Sequence, residues 1–422
     1  MANRRHQAKP PREDLNGSRN RQLPEDVAAR KTVNRKEASP EKAGERSLSS
    51  SDSGKDVSSS FARWYKNLPE HRVAFADEKT VLSPLNFCLK EKLGEGGMGI
   101  VYQGKQCSVG RDIAVKFLKS DYLGDKDAAR RFILEGQITG RLDHPNILPI
   151  IDVGRSQNGD LFIAMKKISG KRWDQSFAQK TPKENLEIFL RACDAIAYAH
   201  SLGIIHRDIK PENVILGEYG EIIITDWGLA LSLAAAGDAD DICDAQMQAG
   251  TPAYMAPEVA RCEAGAINER TDVYLLGATL FEIWTGKVPH AGRDVHACLE
   301  AAAANLIQMP DKTDEVVQIA LKAMAGDPAA RYSSVREMQK EIREYLMHSE
   351  SLSLTSSAKA EFDKPGNSYS DLSRALALFE EALKLWGENP EAQKGVMQTR
   401  LRFAAAALAR RDLNLGESLL LP

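Results

Sequence analysis

Ten residues, Ile204-Ile205-His206-Arg207-Asp208-Ile209-Lys210-Pro211-Glu212-Asn213, constrain this chain more than any other stretch. They crowd an imidazole, a guanidinium, two carboxylates, an ammonium and a carboxamide into one short run. Branched apolar residues stand on both sides, with Ile204 and Ile205 leading in and Val214, Ile215 and Leu216 leading out. The flanks are destined for a core, so the polar run becomes a loop clamped between two buried pieces. Such a loop presents an acid, a base and an amide at fixed positions.

The rest of the chain has room for partners to this loop. Its 422 residues fit two or three domains, and a hydrophobic fraction of 43% is enough for a sizeable core. A net charge of -3 gives no reason to expect a nucleic-acid binder. Six cysteines (Cys88, Cys107, Cys193, Cys243, Cys262, Cys298) stand far apart without a CxxC pair, which suits reduced thiols in the cytoplasm better than a metal site or a disulfide frame. No apolar run reaches membrane-spanning length, and no signal peptide is expected at the N-terminus.

Residues 1–60 are rich in Arg, Lys, Glu, Ser and Pro and poor in large apolar groups, which predicts a disordered leader. Phe61, Trp64, Tyr65 and Leu68 share one helical face, so residues 61–85 are expected to hold a short docking helix that Pro69 ends. From 86 to 168 the pattern predicts five strands and one helix. The strands are Phe87–Leu89, Ile100–Tyr102, 113–118, 147–153 and 161–165, and the helix covers 127–142 with Phe132, Ile133, Ile138 and Leu142 as its apolar stripe. From 169 to 346 helices dominate, at 186–200, 272–285, 316–325 and 334–346. A Ser-rich linker is expected over 347–370. Helices follow at 372–385 and from Asn389-Pro390 to Arg410, then a turn at Arg411-Asp412. Ala375, Phe379 and Ala382 have the spacing of a tetratricopeptide second helix, and Gly387 stands where such a repeat often has Pro; a plain helical hairpin is the simpler alternative.

Several motifs stand in order along this frame. Gly94-x-Gly96-x-x-Gly99-x-Val101 allows a hairpin to close on phosphates without a Cβ clash. Alone it is weak, since glycine hairpins are common and the dinucleotide fingerprint shares the spacing. The return into a strand at Ile100 instead of a helix argues against that fingerprint. Lys116 sits inside the apolar strand Ala114-Val115-Lys116, where an ammonium needs a partner. Glu135 on the following helix is the chosen partner over Glu91 and Asp127. Further on come Thr225-Asp226-Trp227-Gly228, then Gly250-Thr251-Pro252-Ala253-Tyr254-Met255-Ala256-Pro257-Glu258, then Asp272 and Arg331.

Together these segments resemble the eukaryotic-type Ser/Thr protein kinases, and in detail the PknB-like bacterial members of planctomycete type with a tetratricopeptide-like tail. The resemblance covers about 86–346. It implies an α+β bilobal protein-kinase fold followed by an all-α segment at 371–422, with an N-lobe over 86–168 and a C-lobe over 169–346. It implies ATP and Mg²⁺, and transfer of the γ-phosphoryl group to protein Ser/Thr hydroxyls. By the same resemblance Gly94, Gly96, Gly99, Val101, Ala114, Lys116 and Met165 surround the nucleotide, with residues 166–168 as the hinge. Asp208 accepts or orients the acceptor hydroxyl, and Lys210 contacts the transferred phosphate. Asn213 and Asp226 hold metal, and Thr251 bonds near Asp208 and Lys210. Glu258 pairs with Arg331, a buried pair whose breakage costs ~3–5 kcal/mol. Asp272 anchors the catalytic-loop backbone. Trp227 replaces the usual Phe with another bulky packing group.

Regulation departs from the family pattern. Between Gly228 and Gly250 the only hydroxyl residue is Ser232, while Asp238, Asp240, Asp241 and Asp244 fill the middle. Two readings stand side by side: a solvated acidic loop, which is the plainer one, and a loop in which one of these carboxylates meets Arg207 in place of a phosphorylated residue. A pseudokinase scaffold working through its tail is the rival function; it predicts a missing Lys, Asp or Asn, and none is missing. A small-molecule phosphotransferase would usually lack the Gly-Thr-Pro and Ala-Pro-Glu segments. The tail is read as a surface for a protein partner or a second copy.

Overall fold

The computed structural model describes residues 65–75, 85–122, 124–233, 249–364 and 368–420. The leader, Phe61, Trp64, the acidic run from Asp238 to Asp244 and the last two residues lie outside the described set.

The first lobe is built by strands of period two. It contains β1 (Glu70–His71), β2 (Val73–Phe75), β3 (Phe87–Glu95), β4 (Gly99–Gln106), β5 (Arg111–Leu118), α1 (Lys126–Gly140), β6 (Ile150–Ser156) and β7 (Leu161–Lys166). Alternation sends Ile113 and Val115 to one face with Phe162, and Ala114 to the other with Phe132 and Ile133 of α1. The sheet therefore has a core on each side. The five expected strands are present as β3 to β7 and pair antiparallel, but among the described residues the sheet has seven strands in the order β1-β6-β7-β5-β4-β3-β2. Only Tyr65 and Lys66 of the expected docking helix are helical among the described residues. The chain then runs extended through Glu70–Phe75, pairing parallel with β6 and then with β3. This run is short and pairs through its backbone, so hydrophobic spacing gave no sign of it.

The second lobe continues with β8 (Gly170–Arg172), α2 (Pro182–Ser201), β9 (Ile204–Ile205), β10 (Val214–Gly217), β11 (Ile222–Ile224), β12 (Leu231–Ser232), α3 (Pro257–Ala260), α4 (Glu269–Thr285), α5 (Val295–Ala303) and α6 (Glu315–Ala323). Thr181 and Glu184 form a capping box that starts α2, with Pro182 at its first position. Helix α4 is enclosed from Thr271 through Ile283 and ends at Gly286 in the left-handed region. It is the axis of the lobe. A Cβ on its Gly277 would lie 2.7 Å from Ala323 Cβ, so α6 packs against it backbone to backbone.

The expected linker at 347–370 is not one. Helix α7 runs unbroken from Val335 to Phe362, past the expected lobe boundary near Tyr345. Its first half packs on the lobe, where Gln339 Nε2 donates to Leu190 O and Asp194 Oδ1. Its second half pairs with α8 (Tyr369–Leu385), which is followed by α9 (Pro390–Ala409) and α10 (Leu413–Leu420). Ser351, Thr355 and Ala358 recur at helical spacing as a buried stripe. The Ser351 hydroxyl donates to Ala382 O at 2.7 Å, and Asn389 Nδ2 donates to both Ser351 and Thr355. Hydroxyl residues that favour turns elsewhere form a polar interface here.

Candidate active site

The clamp expected around residues 204–213 is present. Ile204 pairs with Ser232 and Ile205 with Leu231, and Val214 pairs with Ile224. Between these ladders His206, Arg207, Asp208, Lys210 and Asn213 are all buried. Arg207 has φ 69°, a left-handed turn that a non-glycine residue keeps only when its surroundings impose it. Asp272, at the start of the buried helix α4, imposes it. Its Oδ2 accepts the His206 N–H at 2.8 Å and its Oδ1 accepts the Arg207 N–H at 2.9 Å. Burial opposes charge on this carboxyl, but His200 at 2.8 Å and the His206 amide outweigh it and hold the pKa below the usual range.

Asp208 is the meeting point. Lys210 Nζ donates to its Oδ2 at 2.6 Å, and Asn213 Nδ2 donates to the same oxygen at 3.1 Å and to the Asp208 carbonyl at 2.8 Å. The Thr251 hydroxyl donates to Oδ1 at 2.9 Å and accepts from Lys210. Thus the Gly250-Thr251 segment, more than 40 residues away, closes onto the loop. Its footing is the Glu258–Arg331 pair, bidentate at 2.8 and 2.7 Å, with Thr271 donating to Glu258 at 2.9 Å. Both charges are buried and fully bonded, which meets the condition for a tolerable buried pair.

The facing wall comes from the first lobe. Lys116 Nζ reaches both oxygens of Glu135, at 2.5 and 2.7 Å. Burial works against the ammonium, yet the carboxylates of Glu135 and Asp226 outweigh it and raise its pKa, so it stays charged. Glu91 lies on β3 and Asp127 in the first turn of α1, and neither is bonded to the lysine. Gly94 and Gly96 stand in the β3–β4 hairpin, where an added Cβ meets open space or only a carbonyl at 3.9 Å. Gly99 differs, since a Cβ there would lie 2.9 Å from Phe117 O and 3.1 Å from the Lys116 stem. Val101 pairs with Lys116 and Ala114 with Met165, and Ala114, Met165 and Val101 share one apolar cluster beside the hairpin.

Asp226 connects the two walls. Strand register carries it beside Asn213, because Thr225 N donates to Asn213 O at 2.8 Å. Its φ is 62° and its side chain is exposed. A Cβ on Gly228 would sit 3.3 Å from Glu135 Oε2 and 3.4 Å from Asp226 Oδ1, so this turn lies close to the Lys116–Glu135 pair. Trp227 turns inward against His206, with ring centroids 4.5 Å apart. Among the described residues no group of three or more His, Cys, Asp or Glu side chains forms a metal cluster.

Among the residues expected from sequence, Asp208, Lys210, Asn213 and Thr251 are joined by hydrogen bonds, Lys116 is paired with Glu135, and Val101, Ala114 and Met165 share one apolar cluster. Sequence reasoning missed His200, whose ring holds Asp272, and Lys119, which bonds Glu95 of the glycine hairpin at 2.7 Å. A histidine in the last turn of a helix leading into the loop was the available signal for His200. Nothing in the local sequence singled out Lys119.

A two-lobed fold with this cleft defines the protein kinase class, and the chain belongs to that family: its sequence matches the protein kinase domain over residues 87–349. It is 35% identical over 260 residues to serine/threonine-protein kinase PrkC of Bacillus subtilis and 34% identical over 265 residues to serine/threonine-protein kinase PknB of Mycolicibacterium smegmatis. It is 31% identical over 291 residues to serine/threonine-protein kinase PknD of Chlamydia trachomatis. Each match covers 60% of this chain and, in that order, 39%, 42% and 31% of the relative's length, so the chain spans at most about two fifths of these relatives.

Proposed function

We propose that this chain transfers the γ-phosphoryl group of ATP to serine and threonine hydroxyls of protein substrates. The observation that carries this reading is the bonded triangle of Asp208, Lys210 and Thr251, joined to the Lys116–Glu135 pair through the turn that carries Asp226. The Thr251 contact is itself an aliphatic hydroxyl donating to Asp208 Oδ1, which is the arrangement an acceptor hydroxyl needs.

The glycine hairpin, Val101, Ala114 and Met165 would enclose the nucleotide, and Lys116, oriented by Glu135, would hold its phosphates. Asp208 would orient the acceptor hydroxyl and take its proton. Lys210 would place a positive charge beside the transferred group, in a buried setting where that charge is weakly screened. Asn213 and Asp226 fit Mg²⁺. The Asn213 amide nitrogen is engaged with Asp208, which leaves its oxygen as donor, and the Asp226 carboxylate is exposed to the cleft. Two hard oxygen ligands suit an ion that keeps several waters and binds phosphates as well. When bound, Mg²⁺ supplies charge neutralisation on the phosphate oxygens.

Transfer of labelled phosphate from ATP to a basic protein substrate, followed by phosphoamino-acid analysis, tests this. Asp208→Ala is expected to lower the rate by at least ~10²-fold. Equal incorporation by wild type and variant would overturn the assignment.

The finer reading is a cytoplasmic bacterial signalling kinase of planctomycete type, whose tail is tetratricopeptide-like and recruits a protein partner or a second copy. Two observations support the repeat-like tail. Ala375, Phe379 and Ala382 are buried at the expected spacing, and Gly395 of α9 lies against the Phe379 ring, where a Cβ would come within 2.3 Å. No helix among the described residues is long and apolar enough to cross a membrane.

A further inference from the structure

We propose that residues 65–75 are a positioning strap for the phosphoryl-transfer site, with Leu68 as its anchor in the core shared with the helix that carries Glu135. The proposal rests on the kinase reading above.

The strap occupies both edges of the five-stranded core of the sheet. Glu70 and His71 pair with Arg155 and Ser156 on β6, and Val73 to Phe75 pair with Phe87 to Leu89 on β3. Only Arg72 separates the two pairings, so a single extended run bridges the sheet from edge to edge. Its seat on β6 is close. Arg155 N donates to Pro69 O at 3.0 Å, and a Cβ on Gly154 would lie 2.7 Å from the His71 ring and 2.8 Å from Pro69 O. Val73 and the Gln157 amide exchange two hydrogen bonds, at 3.0 and 3.1 Å.

From there the contacts lead to the reacting groups. Val153, next to Gly154, packs on Gly136 of α1, where a Cβ would lie 2.7 Å from Val153 Cγ2. Gly136 follows Glu135 in sequence. The strap also shares a core with α1, since Leu68 is buried in the cluster that holds Phe132 and Ile133. The Lys116 ammonium lies 5.8 Å from the Phe132 ring centroid. Close packing of this kind transmits a shift without slack. A strap seated on β6 and sharing a core with α1 therefore fixes where Glu135 meets Lys116.

Val73 supplies the control. It is as buried as Leu68 and belongs to the same strap, but it packs in the cluster on the opposite face of the sheet, away from α1. In the full chain, Leu68→Ala is expected to lower kcat about tenfold while KM for ATP changes by less than about threefold, because a misplaced group costs the transition state more than ground-state binding. Hydrogen exchange should quicken in residues 126–140. Leu68→Met should restore both readouts. Val73→Ala, compared at a matched distance below its own melting temperature, should keep wild-type kcat and leave exchange in 126–140 unchanged. Equal kcat and equal exchange in Leu68→Ala and Val73→Ala would overturn the proposal. Because the exchange experiment needs no activity, that result is separable from failure of the kinase reading, which an inactive wild type would show.

Discussion

Two tryptophans are enclosed in the second lobe, and one hydrogen bond distinguishes them. The Trp173 Nε1 donates to Asn185 Oδ1 at 3.0 Å, whereas the Trp227 Nε1 is buried with no partner among the described residues. An unpaired buried donor already costs about 1–3 kcal/mol, and its removal offsets part of the packing lost with an indole. Trp173→Phe, in contrast, strands the Asn185 oxygen. Denaturant unfolding of the two variants should therefore show Trp227→Phe costing less than Trp173→Phe by about 1–3 kcal/mol. At this scale much of the cleft was legible. Lys116 announces itself because an ammonium inside an apolar strand needs a partner, while Asp208, Asn213 and Asp226 were legible through the resemblance of their motifs to the kinase pattern. Glu135 followed from its place in the central turns of α1. The unpaired indole was not legible, because a packing role says nothing about where an N–H points. Nor was His200, whose partner lies 72 residues away.

At the scale of elements, helix α7 is where composition misled. Serine at 349, 351, 353, 356 and 357 reads as linker, since short hydroxyl side chains compete with the helix for backbone hydrogen bonds. The structure uses Ser351 and Thr355 inward and leaves Ser353 exposed in the middle of an unbroken helix. Ser353→Pro separates the two readings. A linker would absorb it, while the helix should lose ~3 kcal/mol or more, read as a lower denaturation midpoint and weaker helical circular dichroism. The strap at 65–75 escaped for a related reason. Its strands are two and three residues long, and their identity lies in backbone pairing with β6 and β3, which no local pattern encodes. Long amphipathic or enclosed helices such as α2, α4 and α9 were readable, with boundaries shifted by a few residues.

At the scale of the whole molecule, the two lobes and the tail are continuous rather than beads on a string. The loop at 204–213 is held by Asp272, the Gly250-Thr251 segment precedes the distant Glu258–Arg331 pair, and the tail continues from the helix that closes the second lobe. The tail presents apolar side chains to solvent, among them Met397 and Leu401 on α9. If the tail recruits substrate, Met397→Asp combined with Leu401→Asp should raise KM for a recruited protein about tenfold, through lost effective concentration, and leave kinetics on a short peptide unchanged. A parallel change on both substrates, or on neither, would count against recruitment.

The shared helix also has an arithmetic consequence. With 3.6 residues per turn, one residue added in its middle turns everything beyond by about 100° and advances it by about 1.5 Å, while two added residues send the tail to the opposite side. Three or four residues bring it back to within about 60° or 40° of its starting phase, and seven to within about 20°. Length at this junction therefore acts as an angular coordinate. The direction in which the tail faces, relative to the cleft, is quantised by the helical repeat, and tolerated length changes here should come in steps of three, four and seven.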